Sequence, residues 1–125
     1  MPKVRRIAVT LFWLAVIVAY VAAILPQRDA PHLGGSDKMD HVAAFFTMTV
    51  LARLAYPRVA PFLVYVALAA FGGFIELSQA VPFVHRDADW NDWFADIAAT
   101  LAGLIIAWPL VALVKARVAG WEDRR

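Results

Sequence analysis

Phe71-Gly72-Gly73-Phe74-Ile75-Glu76-Leu77-Ser78-Gln79 places one carboxylate inside an apolar run, Val59 to Phe83, that carries no other formal charge. About 20 such residues in a helix cross the roughly 30 Å of bilayer hydrocarbon. A carboxylate at that depth is costly, and it normally faces a partner or a wet cavity and marks a functional site. The stretch therefore predicts a membrane-crossing helix with a polar inner face. The rest of the chain is then a search for what meets Glu76.

Composition points the same way. Of 125 residues, 62% are hydrophobic and the mean hydropathy is +0.65, against roughly 45–50% apolar in a soluble domain. Twelve Lys and Arg stand against ten Asp and Glu, a formal net charge of +2. The basic residues lie at segment ends and form no patch that could track phosphates, which argues against nucleic acid as a partner. The chain has no cysteine, so disulfide frameworks and thiolate metal sites are excluded. Histidine and carboxylate remain as ligand types. Asp37, His41, Glu76 and Asp96 are of the type that holds a hard or borderline cation, but their spacing is not diagnostic, and this reading assigns no metal and no cofactor.

Four apolar segments predict spans over about 7–25, 37–55, 60–80 and 91–114, an all-α four-helix membrane bundle in a single domain over 1–125. The first, Ile7 to Leu25, is 19 residues without a charge. It follows Lys3, Arg5 and Arg6 like a signal peptide, yet it exceeds the 7–15 residue apolar core of one and has no clean A-x-A site, so a retained anchor is expected. The second opens with polar residues, and its apolar part alone is short. Pro61 suits the first turn of the third. Pro109 sits near the end of the fourth, where a kink is expected. No repeat or heptad seam is present.

Orientation follows from the excess of Lys and Arg that cytoplasmic loops retain. Lys3, Arg5, Arg6, Arg53, Arg58, Lys115, Arg117, Arg124 and Arg125 fall on one side of a four-span layout, and only Arg28, Lys38 and Arg86 on the other. Both termini are thus expected in the cytoplasm, with the loops Pro26 to Ser36 and Val81 to Trp90 outside. Trp90 and Trp93 outside, and Tyr56 and Trp121 inside, suit interfacial belts.

This layout gathers three polar groups at the outer end. Asp37, Lys38, Asp40 and His41 open the second span, Glu76 and Gln79 close the third, and Arg86, Asp89, Asp92 and Asp96 lead into the fourth. Asp37 and His41, and Glu76 and Gln79, share helical faces. Asp92, Asp96, Ala99 and Gly103 also follow helical spacing, on a small-residue ridge that permits close helix contact. Carboxylates in a first turn act as caps or complement the helix dipole, which accounts for Asp40 and Asp89 and can account for Asp37 and Asp92. It does not account for Glu76, at the negative end of its helix, or for Asp96, a turn deeper than a cap. Those two require cations, donors or protons, and Lys38, Arg86 and His41 are the expected partners. An ion network that only holds helices together satisfies the same pattern.

Asp37-Lys38-x-x-His41, Glu76-x-x-Gln79, then Arg86 with Asp92, Asp96 and Gly103, resemble the VanZ-like family of small bacterial membrane proteins. The likeness covers about Asp37 to Gly103. Ala99 stands where many members have Gly, and Asp96 where Asn is often found. The family takes its name from a protein associated with teicoplanin resistance, so the resemblance implies a role in the bacterial cell envelope and in glycopeptide tolerance, without a settled activity.

Three mechanisms fit the residues. In the first, Lys38 and Arg86 hold an anionic lipid headgroup or a lipid-linked cell-wall precursor near the interface. In the second, a membrane hydrolase or transferase uses His41 with Glu76 or Asp96 as base, acid or metal ligands, although no nucleophile motif supports it. The third is proton-coupled transport through Glu76 and Asp96. Four spans without an internal repeat favour transport only in an oligomer.

Overall fold

In a computed structural model the chain is all-helical: α1 (Pro2–Ile24), α2 (Asp37–Ala55), α3 (Pro61–Gln79) and α4 (Trp90–Glu122), with a 3-10 turn at Pro82–Val84. The structure describes residues 2–26, 28–30 and 36–122, and there is no strand among the described residues. Most of the loop from Pro26 to Ser36, Arg124, Arg125 and the side chain of Trp121 lie outside them.

The helix ends have local causes. Ser36 caps α2 by accepting from the Met39 N–H at 3.2 Å, and Asp37 and Asp40 fill the first turn, where they complement the helix dipole. Pro61 opens α3, at the position where its missing N–H is no loss. Asp89 accepts from the Asn91 N–H at 2.9 Å and starts α4. Between α3 and α4 the chain turns at His85, which has φ 55°, a left-handed conformation in which His is more frequent than most side chains.

Two helices outrun their expected spans. α1 begins at Pro2 and includes Lys3, Arg5 and Arg6, and α4 continues past Val114 to Glu122 with Pro109 inside it. Apolar length measures the hydrocarbon crossing, whereas backbone hydrogen bonding continues through flanking charges. Three helices are long and apolar enough to cross a membrane: α1 from Lys3, α3, and α4 to Arg117. α2 falls short of that measure, because Asp37, Lys38, Asp40 and Arg53 confine its apolar stretch.

Successive helices run antiparallel. At one end Arg5 Nε donates to the Ala55 carbonyl at 3.2 Å and Trp13 Nε1 to the Tyr56 hydroxyl at 2.8 Å. At the other, Gln79 Nε2 donates to the Ala23 carbonyl at 3.0 Å. α2 packs mainly on α4 and then on α1, and α3 packs on α4. Phe45, Met48, Ala52, Leu68, Ile75 and Ala99 form the core between them. The α2–α4 approach depends on Gly103, since a Cβ there would lie 2.7 Å from Thr49 Cβ and 3.2 Å from the Phe46 carbonyl.

Polarity is inverted relative to a water-soluble bundle. Ile17, Val18, Phe62, Leu63, Ile105 and Trp108 are exposed, while Glu76, Gln79, Asp96 and Thr100 are fully buried. Contiguous apolar surface on this scale marks contact with a membrane, and buried ionisable groups face the interior for the reason given for Glu76. This inversion fits the three helices that are long and apolar enough to cross a membrane.

Candidate functional site

The antiparallel order brings the start of α2, the end of α3 and the start of α4 to one end of the molecule. There His41 Nδ1 meets Asp96 Oδ1 at 2.8 Å, and His41 Nε2 lies 3.9 Å from Asp37 Oδ2. A carboxylate only accepts, so the short contact puts the Nδ1 proton toward Asp96. The imidazole stacks on Phe45 one turn along α2, with ring planes 3° apart. Its orientation is thereby set from two sides.

The two nearby basic residues are held by other carboxylates. Arg86 Nη2 is 2.7 Å from Asp37 Oδ1, and Nη1 donates to the Leu25 carbonyl at 3.4 Å. Lys38 Nζ is 3.7 Å from Asp92 Oδ1. Glu76 accepts through Oε2 from the Asp89 backbone N–H at 2.9 Å. The expectation that Glu76 pairs with Arg86 or Lys38 is thus corrected. The chain leaving the 3-10 turn carries Arg86 toward the start of α2, while an N–H at the start of α4 comes to Glu76 first. Asp89 both caps α4 and donates to Glu76.

Asp92 lies in the first turn of α4, as read from the sequence, and is buried with Lys38 on it. Trp93 Nε1 donates to the Ala69 carbonyl at 2.9 Å, tying α4 to α3. Gln79 binds α3 to α1 through Ala23.

The sequence reading gave Gly72 no role, yet it shapes the centre of the site. A Cβ there would lie 2.8 Å from Asp96 Oδ2 and 3.2 Å from Trp93 Cδ1. The available signal was a glycine one helical turn before a buried acid, on its face.

All eight candidate residues, Asp37, Lys38, His41, Glu76, Gln79, Arg86, Asp92 and Asp96, lie at this end. Ligating atoms of His41, Glu76 and Asp96 lie within 4.8 Å of one another, as do those of Asp37, His41 and Asp92. Among the described residues, three buried oxygens, Glu76 Oε1, Gln79 Oε1 and Asp96 Oδ2, have no hydrogen-bond partner. Beside the cluster runs a groove of about 400 Å³ between α1 and α2, walled by residues such as Ala19, Ala22 and Ala44 and closed at the polar end by Asp37, His41 and Arg86.

No protein-family model, curated protein or solved structure matches this chain. Fold and site together define an all-helical protein with three helices apolar enough to cross a membrane and a buried histidine–carboxylate cluster at one end of its helices.

Proposed function

We propose that the chain is a four-span protein of the bacterial cytoplasmic membrane, with both termini in the cytoplasm. In this reading its outward polar end binds the headgroup of an anionic lipid or lipid-linked envelope precursor. The groove carries the reading. Its volume is in the range of small-molecule sites, which are mostly apolar with a few placed polar groups, and it joins an alanine-lined wall to an ionic end. An acyl or polyprenyl chain fits the wall. Lys38, 50% exposed and next to the groove's lining residue Asp37 in sequence, would offer the headgroup a cation near the interface, while Arg86, 3% exposed, stays locked on Asp37 and shapes the groove. The VanZ-like resemblance adds glycopeptide tolerance as the expected phenotype.

A second reading has one observation in its favour. His41 lines the groove, and Asp96 orients it as a general base is oriented by a carboxylate. Hydrolysis or transfer at a lipid-linked headgroup would use that pair.

Native mass spectrometry of the protein purified in mild detergent tests the binding reading. A co-purifying phospholipid or polyprenyl phosphate is expected, and Ala19→Phe with Ala44→Phe should expel it by filling the groove. A lipid-free wild type, or equal retention by the filled variant, rejects the reading.

A further inference from the structure

We infer that His41, Glu76 and Asp96 form a binding site for one divalent first-row transition cation, such as Zn²⁺ or Mn²⁺, at the junction of α2, α3 and α4. Each helix contributes one ligand, and all three side chains are buried, Glu76 and Asp96 at 0% exposure. Their ligating atoms lie within 4.8 Å of one another. Ligands on about 2.1 Å bonds at tetrahedral angles stand about 3.4 Å apart, so closing the site takes an inward shift of side chains and an unprotonated nitrogen on His41 toward the ion, which replaces the Nδ1 hydrogen bond to Asp96.

The balance of donors and acceptors selects this group. Glu76 Oε1 and Asp96 Oδ2 are buried oxygens without a hydrogen-bond partner, and acceptors left so are costly. Both unpartnered atoms belong to carboxyl groups, so what they call for is a cation, a donor or a proton. The neighbouring cations are engaged elsewhere, Arg86 on Asp37 and Lys38 on Asp92. With both carboxylates ionised and the imidazole neutral, as metal ligation requires, the three side chains would carry a charge of −2, which a divalent ion would neutralise. One imidazole with two carboxylates suits borderline divalent ions and not soft ones.

The outer group, Asp37, His41 and Asp92, lacks this deficit, because its two carboxylates already hold Arg86 and Lys38. Gly72 supplies an independent geometric sign. It lies one turn before Glu76, and only its missing Cβ lets Asp96 Oδ2 come against that part of α3. α3 is thus cut away where Asp96 Oδ2 meets it. The site shares His41 with the polar end of the groove, while Glu76 and Asp96 lie outside the groove's lining, so loss of the ion on Glu76→Gln or Asp96→Asn reports on this site and not on what fills the groove.

The test uses the full chain in detergent, stripped with a chelator and dialysed against Zn²⁺ or Mn²⁺, with elemental analysis and melting curves. One ion per chain is expected, with a raised melting temperature. Glu76→Gln and Asp96→Asn should each weaken binding by more than the roughly 10–100-fold that loss of an outer-shell partner causes, and Gly72→Ala should weaken it without removing a ligand. Absence of bound ion in the wild type overturns the site. So does an ion kept by Glu76→Gln but lost on Asp37→Asn and Asp92→Asn, which assigns it to the outer group. Should the variants not fold, the visible spectrum of Co²⁺ bound to the wild type decides. Bands of a nitrogen–oxygen site, displaced by Zn²⁺, support the inference, and the spectrum of aqueous Co²⁺ refutes it.

Discussion

His41 Nδ1 and Asp96 Oδ1, 55 residues apart in sequence, stand 2.8 Å apart where α2 meets α4, both side chains buried. That contact couples the two most closely packed helices through a charge-assisted hydrogen bond. It also fixes the imidazole, so that its second nitrogen faces Asp37.

Removing one partner leaves the other buried alone. Asp96→Ala is therefore expected to destabilise the protein by about 3–5 kcal/mol. His41→Ala combined with Asp96→Ala should be less harmful than the sum of the single changes, by at least about 0.5 kcal/mol. Unfolding in detergent with all four members of the cycle measures this. Strict additivity would show that the two side chains do not depend on each other.

Arg86→Met should strand Asp37, whose side chain is partly exposed, at a cost of about 1–3 kcal/mol. Asp37→Asn in the same chain should recover at least half of it. Glu76→Gln should not, because Glu76 takes its hydrogen bond from the Asp89 backbone. Recovery by Glu76→Gln in melting experiments would place Arg86 on Glu76 instead.

Gly103→Ala would press a methyl group against Thr49 and the Phe46 carbonyl, and overpacking of this kind costs about 1–3 kcal/mol. Gly73→Ala meets only Trp93 Nε1 at an ordinary 3.6 Å, so it should be neutral or stabilise by up to about 1 kcal/mol through helix propensity. Equal effects of the two substitutions would remove the argument for close α2–α4 contact.

The proposed topology is testable without background labelling, since the chain has no cysteine. Asp87→Cys should react with a membrane-impermeant maleimide on intact cells, and Val59→Cys only after permeabilisation. The reverse pattern would invert the protein and place the polar cluster on the cytoplasmic side.

The sequence by itself determined the helices, because their causes are local. Apolar runs, Ser36 and Asp89 as caps and Pro61 at a first turn place four helices near where they lie. The antiparallel order then brings Asp37, His41, Glu76, Arg86 and Asp96 to one end. Helix ends beyond the apolar runs, as at Pro2 and Glu122, were not legible, since hydropathy records the crossing and not the backbone ladder. Only the tertiary structure decided which charge meets which. Arg86, Lys38 and the Asp89 N–H all lie near Glu76 in any layout of this order, and differences of a few ångströms in how α2, α3 and α4 approach chose the backbone donor for Glu76 and the carboxylates for the cations. Those approaches are set by Gly72 and Gly103, whose effect is the absence of a side chain, and by the depth at which Asp96 enters α2 and α3. Hydrogen bonding and ion pairing change over such distances, whereas hydrophobic patterning does not, and for that reason the unpartnered oxygens of Glu76 and Asp96 come to light only in three dimensions.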